Sequence, residues 1–345
     1  MLSELYKIFP AKLREKLSDT DLLREGYTEL RFRCNGPVTL LRGREEFFLH
    51  NTKGICQQME QAYLVSVNEI REMMEYISNF SVYAYDEELR QGFLTIQGGH
   101  RVGLCGKVVL SEGKIKTIRN ISFLNIRLAR ERKGCADGLL PYLLEGDRLC
   151  HTLIVSPPGC GKTTLLRDLI RNVSNGSDGN PERSFQGFRG RKVGVIDERS
   201  ELAACYHGVP QNDLGRRTDV LDGCPKVLGM ELLLRSMSPE VIAVDELGGE
   251  RELEWIEKSI YCGCTILATA HGEGRDGWFR EQKGILEETS GNRLIDMQEY
   301  RLDGVGYAQK KTGLFERYVF LKAGAAPGIL EAVCDRNGRE VVPLW

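Results

Sequence analysis

The stretch SPPGCGKTTLLRD, residues 156–168, follows the pattern G-x-x-x-x-G-K-[ST] except at its first position, where Ser156 stands in place of glycine. In such a loop, successive backbone N–H groups and a helix N-terminus converge on anionic oxygens. Gly159 and Gly161 permit the tight turn and the close approach of the backbone. Lys162 brings a positive charge to the β- and γ-phosphates, and Thr163 a hydroxyl for Mg²⁺. Ser156, Pro157, Pro158, Cys160 and Thr164 complete the candidate nucleotide-binding set. Serine is small enough to end a strand without disturbing the two inner glycines, so the implied ligands remain ATP and Mg²⁺.

A second stretch, EVIAVDELGG (240–249), places Asp245 and Glu246 after four apolar residues. An aspartate at the end of such a strand holds Mg²⁺ directly or through water, and the adjacent glutamate polarises an attacking water. Two further apolar runs end in polar groups: VGVIDERSE (193–201) in Asp197, Glu198 and Arg199, and ILATAHGE (266–273) in His271. Read alone, His271 caps a turn before Gly272. Phosphoryl transfer also calls for a cation near the developing charge, often from another subunit. The candidates are Arg216 and Arg217 in DLGRRTDV, with Arg217 preferred, and Arg101, Arg119 and Arg127 nearer the N-terminus.

The elements that must position these groups are visible as patterns. HTLIVS leads directly into the loop, and Leu165, Leu166, Leu169, Ile170 and Val173 share one helical face after it. KVGVID, VIAVDE and CTILATAHG read as short parallel strands buried on both faces, with chemistry gathered at their C-terminal ends. ADGLLPYLLEGDRLC predicts a helix before them, and VPQNDLGRRTDVLDGCP a loop or surface excursion. SNGSDGNPERSFQGFRG, residues 174–190, predicts a mobile surface loop.

Upstream, YTELRFRCNGPVTLL (27–41) suggests a hairpin turning at Asn35-Gly36-Pro37, and GFLTIQGGHRVGLCGKVVL (92–110) alternates with glycines at turns. VSVNEIREMMEYIS (65–78) has a helical period, with Ser66 and Glu69 spaced as a capping box. These readings predict a smaller α+β domain over 1–134, followed by an α/β domain over 135–345.

A net charge of −2 argues against a nucleic-acid binder, and no run approaches the ~18 apolar residues that span a bilayer. MLSELYKIFPAKLREKL lacks a signal peptide's unbroken apolar core. Eleven cysteines without a C-x-x-C pair suggest a reducing cytoplasm and apolar filling.

Taken in order, the loop, DERSE, VPQNDLGRRTDVLDGCP, RSMSPEVIAVDE and TAHG resemble the secretion or traffic ATPases, and within them the stage III sporulation protein AA family. ELRFRCNGPV and SFLNIRLARE extend the resemblance over most of the chain; 174–190 and 273–312 are least similar. It implies a RecA-like core and a hexameric ring that energises a channel between mother cell and forespore. The ring would dock on membrane proteins at the inner, cytoplasmic face of the membrane. By position, Glu198 would assist the metal-bound water and His271 would sense the γ-phosphate. Two other functions fit part of the sequence: a RecA-like nucleic-acid motor, and a scaffold that uses nucleotide only to assemble.

Overall fold

The structure, a computed structural model, describes residues 2–18, 20–22, 24–79, 86–177, 185, 187–279, 313–322 and 328–341. The chain divides into two compact units, Met1–Glu131 with Ala204–Asn212, and Arg132–Ala203 with Asp213–Trp345. A single cut between 134 and 135 puts Ala204–Asn212 in the second unit; the structure groups it with the first. There Gln211 Oε1 accepts from Gly98 N at 2.8 Å and Tyr206 OH from Asn79 Nδ2 at 3.0 Å. Such a return from distant sequence leaves no trace in local periodicity.

The first unit opens with α1 (Leu2–Lys7) and α2 (Ala11–Leu17), separated at Pro10, which has no N–H to continue a helix. Leu5, Phe9, Leu13 and Leu17 from this segment are fully buried. They belong to one core with Leu30 and Phe32 of β1 (Glu29–Arg33), whose alternating burial is that of a strand with one covered face. The sheet continues through β2 (Thr39–Arg42), β3 (Glu45–Leu49), β4 (Ile55–Cys56), β5 (Phe93–Ile96), β6 (His100–Ser111) and β7 (Lys114–Arg127), ordered β4-β3-β2-β1-β7-β6-β5 and antiparallel throughout. Asn35 turns the β1–β2 hairpin in the left-handed region, at φ 58°. Helix α3 (Val67–Ile77) starts on the expected capping box: Glu69 N donates to Ser66 Oγ at 3.3 Å and Ser66 N to Glu69 Oε2 at 2.9 Å. Ile70, Met73, Met74 and Ile77 turn into the same core, and a short α4 (Asp86–Gln91) precedes β5.

In the second unit the helix expected over 136–150 is replaced by a 3₁₀ turn at Leu140–Leu143 and a two-stranded ladder, β8 (Leu144–Glu145) with β9 (Arg148–Leu149). Pro141 at the turn's start and Gly146, at φ 61°, account for the difference. The central sheet follows: β10 (Thr152–Ser156), β11 (Val193–Asp197), β12 (Thr218–Asp222), β13 (Val241–Val244), β14 (Thr265–His271), β15 (Arg317–Leu321) and β16 (Leu330–Asp335). Their order is β12-β11-β13-β14-β10-β15-β16, and every pair is parallel except the edge pair β15–β16. β10, β11 and β13 are buried at every residue, the pattern of strands covered on both faces. The segment VPQNDLGRRTDVLDGCP supplies β12, because its Thr-Asp-Val-Leu-Asp stretch pairs with β11.

Helices α5 (Lys162–Asn175), α6 (Lys226–Ser236) and α7 (Glu250–Tyr261) join these strands. Of the loop expected over 174–190, residues 178–184 and 186 lie outside the described residues. What is described is anchored: Phe185 and Phe188 are buried, and Ser177 N donates to Phe188 O at 2.9 Å. Among the described residues no helix is long and apolar enough to cross a membrane.

The parallel register aligns the ends that carry chemistry. Ser156 pairs with His271, Ala268 with Val244, and Val244 with Ile196. Asp245, Asp197, Thr269 and His271 therefore reach the same C-terminal edge as the loop after β10.

Candidate functional site

Gly159 and Gly161 occupy the left-handed region, at φ 76° and 93°, and Gly161 caps α5. Ser156 is a paired residue of β10 and so needs none of glycine's freedom; its Oγ donates to Pro157 O at 3.0 Å. Cys160 is buried with its carbonyl accepting from Gly328 N at 2.7 Å, and Pro158 O lies 3.8 Å from its Sγ. Thr164 follows in the first turn of α5. The loop backbone is thus fixed from inside, while nothing lies within 4 Å of the position where Gly159 would carry a Cβ.

Lys162 leads α5 but points back under the loop. Its Nζ donates to Ser156 O at 3.0 Å and Pro157 O at 3.1 Å, and lies 3.3 Å from His271 Nδ1. Burial lowers the pKa of this ammonium, against the opposing fields of Asp245, Cys160 and Glu246. An ammonium has donors only, so Nδ1 of His271 accepts and Nε2 carries the ring proton. That Nε2 lies 3.4 Å from Glu246 Oε1. Arg199 NH1 donates to the other oxygen of Glu246 at 2.6 Å. Four groups from four segments thereby form one chain: Lys162, His271, Glu246 and Arg199.

Asp245 sits beside this chain. Thr163 Oγ1 donates to its Oδ2 at 2.7 Å, and Thr269 Oγ1 to its Oδ1. Thr163 and Asp245 offer a hydroxyl and a carboxylate face to face, both hard oxygen donors. Mg²⁺ is typically held by one or two carboxylates together with substrate phosphates, so this pair fits it. Among the described residues no group of three His, Cys, Asp or Glu side chains could hold a metal unaided.

Two of the sequence assignments take a different form. Glu198 lines the same cleft as Asp245 and Glu246, but Lys226 Nζ engages its carboxylate at 2.6 Å. Lys226 also stands 3.7 Å from Glu252, so Glu198 belongs to a charge cluster beside the Thr163–Asp245 pair. Arg217 is not gathered at the site. Its guanidinium donates to Ser174 O at 2.9 Å and Asn175 O at 3.2 Å, capping the far end of α5. At 1.5 Å per residue that end lies roughly 20 Å from Lys162. The run of Gly, Asp and Arg around Arg217 gave no sign that a helix C-terminus would claim the guanidinium.

Three further residues matter. Asp197, nearly fully buried, accepts from the backbone N–H of Glu201 at 2.8 Å, Leu202 at 3.0 Å and Ala203 at 2.7 Å. Burial pushes its carboxyl pKa up while those three bonds pull it down, so it shapes the loop that presents Glu198 and Arg199. Lys226, which had no sequence signal, opens α6. Thr269 shares a strand face with His271 two residues on.

The family model described as "Sporulation stage III, protein AA" matches residues 2–300. The chain belongs to that family. Stage III sporulation protein AA of Bacillus subtilis (strain 168) is 35% identical over 338 residues, covering 98% of this chain and 96% of the relative. The pilus retraction motor PilT, solved with bound ADP, matches with a TM-score of 0.54 at 13% identity, over 95% of this chain and 83% of PilT. The ATPase DotB of Yersinia pseudotuberculosis matches with a TM-score of 0.51 at 14% identity, over 90% of this chain and 75% of DotB. At such identities the likeness concerns the fold alone, a RecA-like P-loop core with a mainly parallel sheet; this chain adds a smaller α+β unit.

Proposed function

We propose that this family member is a Mg²⁺-dependent ATPase of the secretion-motor type. It works as a closed ring of six copies that docks on membrane proteins at the inner face of the mother-cell membrane and energises a channel to the forespore. The observation that carries the reading is the 2.7 Å contact between Thr163 Oγ1 and Asp245 Oδ2, which joins the phosphate loop to the acid at the end of β13.

The residues divide the work as follows. Backbone amides of Gly159 to Thr163 and the Lys162 ammonium take the β- and γ-phosphates of ATP. Thr163 and Asp245 hold Mg²⁺, which when bound neutralises charge on the transferring phosphoryl group. Glu246 orients the attacking water and receives its proton. His271, placed between Lys162 and Glu246, links the phosphate-binding cation to the base. The cation for the outer face of the phosphoryl group comes from a neighbouring copy, which is why turnover depends on the ring.

ATP turnover and mass in solution, measured with and without ATP and Mg²⁺, test this reading. Wild type should hydrolyse ATP as a ring, Lys162→Ala should lose binding and turnover, and Glu246→Gln should bind ATP without turning it over. A Glu246→Gln protein with full activity would remove the base assignment. Full activity in Lys162→Ala would remove the site.

A further inference from the structure

The Thr269 hydroxyl touches both the Asp245 carboxylate and the backbone of Glu246. The residue is fully buried, two residues before the end of β14. Its hydroxyl donates to Asp245 Oδ1 and accepts from the backbone N–H of Glu246 at 2.8 Å. Its carbonyl accepts from Leu247 N at 2.9 Å. Three successive residues after β13 are therefore tied to a single residue of β14.

Each bond has a consequence. A carboxylate can rotate about its terminal bond, and either oxygen can face a cation. With Oδ1 occupied by Thr269, Oδ2 is the oxygen left facing Thr163. Glu246 adopts φ 51°, a left-handed conformation that costs energy in a residue with a side chain. The two backbone bonds to Thr269 hold it there, and this conformation aims its carboxylate at His271 and Arg199. Only a group that donates and accepts at once can serve a carboxylate and an N–H together, and the hydroxyl does so from a single atom.

We propose that Thr269 is a positioning residue that sets the Mg²⁺-facing oxygen of Asp245 and the stance of Glu246, so that one hydroxyl governs metal affinity and proton transfer jointly. The inference rests on the nucleotide-site reading above. Partners that orient a metal ligand from behind contribute ~10–100-fold in metal affinity.

The test compares Thr269→Val, which keeps the shape and loses the hydroxyl, with Thr269→Ser, which keeps the hydroxyl. Binding of a fluorescent ATP analogue is titrated with Mg²⁺ and also measured in EDTA, beside kcat and KM. Thr269→Val should need about tenfold more Mg²⁺ for half-maximal binding, bind the analogue in EDTA as wild type does, and lose kcat with little change in KM. Thr269→Ser should recover wild-type Mg²⁺ dependence. Wild-type Mg²⁺ dependence in Thr269→Val would overturn the inference, as would a Thr269→Ser protein equally impaired, since packing rather than the hydroxyl would then be responsible. Mg²⁺-independent binding by wild type would overturn the inference alone, whereas Lys162→Ala binding the analogue as wild type does would remove the site reading, and the inference with it.

Discussion

Thr163 Oγ1 and Asp245 Oδ2 meet at 2.7 Å although 82 residues separate them in the chain. The parallel register of β10, β14 and β13 brings these ends together, because Asp245 directly follows the last residue of β13 and the phosphate loop directly follows the last residue of β10. Asp245→Asn keeps the shape and replaces a charged oxygen by an amide. The expected result is a loss of turnover of about 100-fold, equivalent to ~2.7 kcal/mol, together with a raised Mg²⁺ requirement. Steady-state kinetics over a Mg²⁺ series measure both; an Asn variant with wild-type kinetics would mean that the metal is held elsewhere.

His271 bridges Lys162 and Glu246 through both ring nitrogens, at 3.3 Å and 3.4 Å. Removing the bridge leaves both ends in place, so binding should survive and chemistry should suffer. His271→Ala is expected to lower kcat about 100-fold, the low end of what a positioned proton-transfer partner contributes, with the nucleotide Kd changed less than about threefold. His271→Asn restores one of the two bonds and should recover only part of the loss. Equal loss in Kd and kcat would recast His271 as a binding residue.

Arg217 separates two readings cleanly. As the cap of α5 its removal should destabilise the protein by about 1 kcal/mol while the folded enzyme keeps its kcat at 25 °C. Denaturation midpoints and turnover of Arg217→Ala, measured on the same preparation, decide it. A collapse of kcat with an unchanged midpoint would return this arginine to a role in a neighbouring copy's site.

The parts of the site that follow from local pattern were readable: the glycine loop, the acidic pair after four apolar residues, and the histidine closing ILATAHGE. Each depends on residues adjacent in the chain. The contacts that Glu198 and Arg217 make here were not readable, because their partners, Lys226 and the carbonyls at the end of α5, are brought to them only by sheet order. The same holds for the fold. Hairpins and the capping box were evident from spacing, whereas the grouping of Ala204–Asn212 with the first unit depends on a long-range return. The expected helix over 136–150 failed for a local reason that could have been weighed, since Pro141 and Gly146 both oppose it.

His100 gives the first unit a pH dependence of its own. The ring is fully buried in β6; Nδ1 accepts from Ala129 N at 3.0 Å, and Nε2 has no hydrogen-bond partner among the described residues. Burial lowers its pKa from 6.5 to about 4. The unfolded chain therefore binds a proton as pH falls through 6.5, while the folded chain does not until about 4. Unfolding takes up that proton, so the contribution of His100 is complete above pH 6.5 and is lost progressively down to about pH 4, by ~3 kcal/mol at most. Carboxylates titrate in part of the same window, so the comparison must be with His100→Gln, which offers an acceptor but cannot charge. Urea midpoints at pH 7.5 and 5.0 should fall further for wild type than for His100→Gln. Parallel falls would show that His100 stays neutral in the unfolded chain as well, or is already charged in the folded one, and would remove the buried imidazole as the source of acid sensitivity.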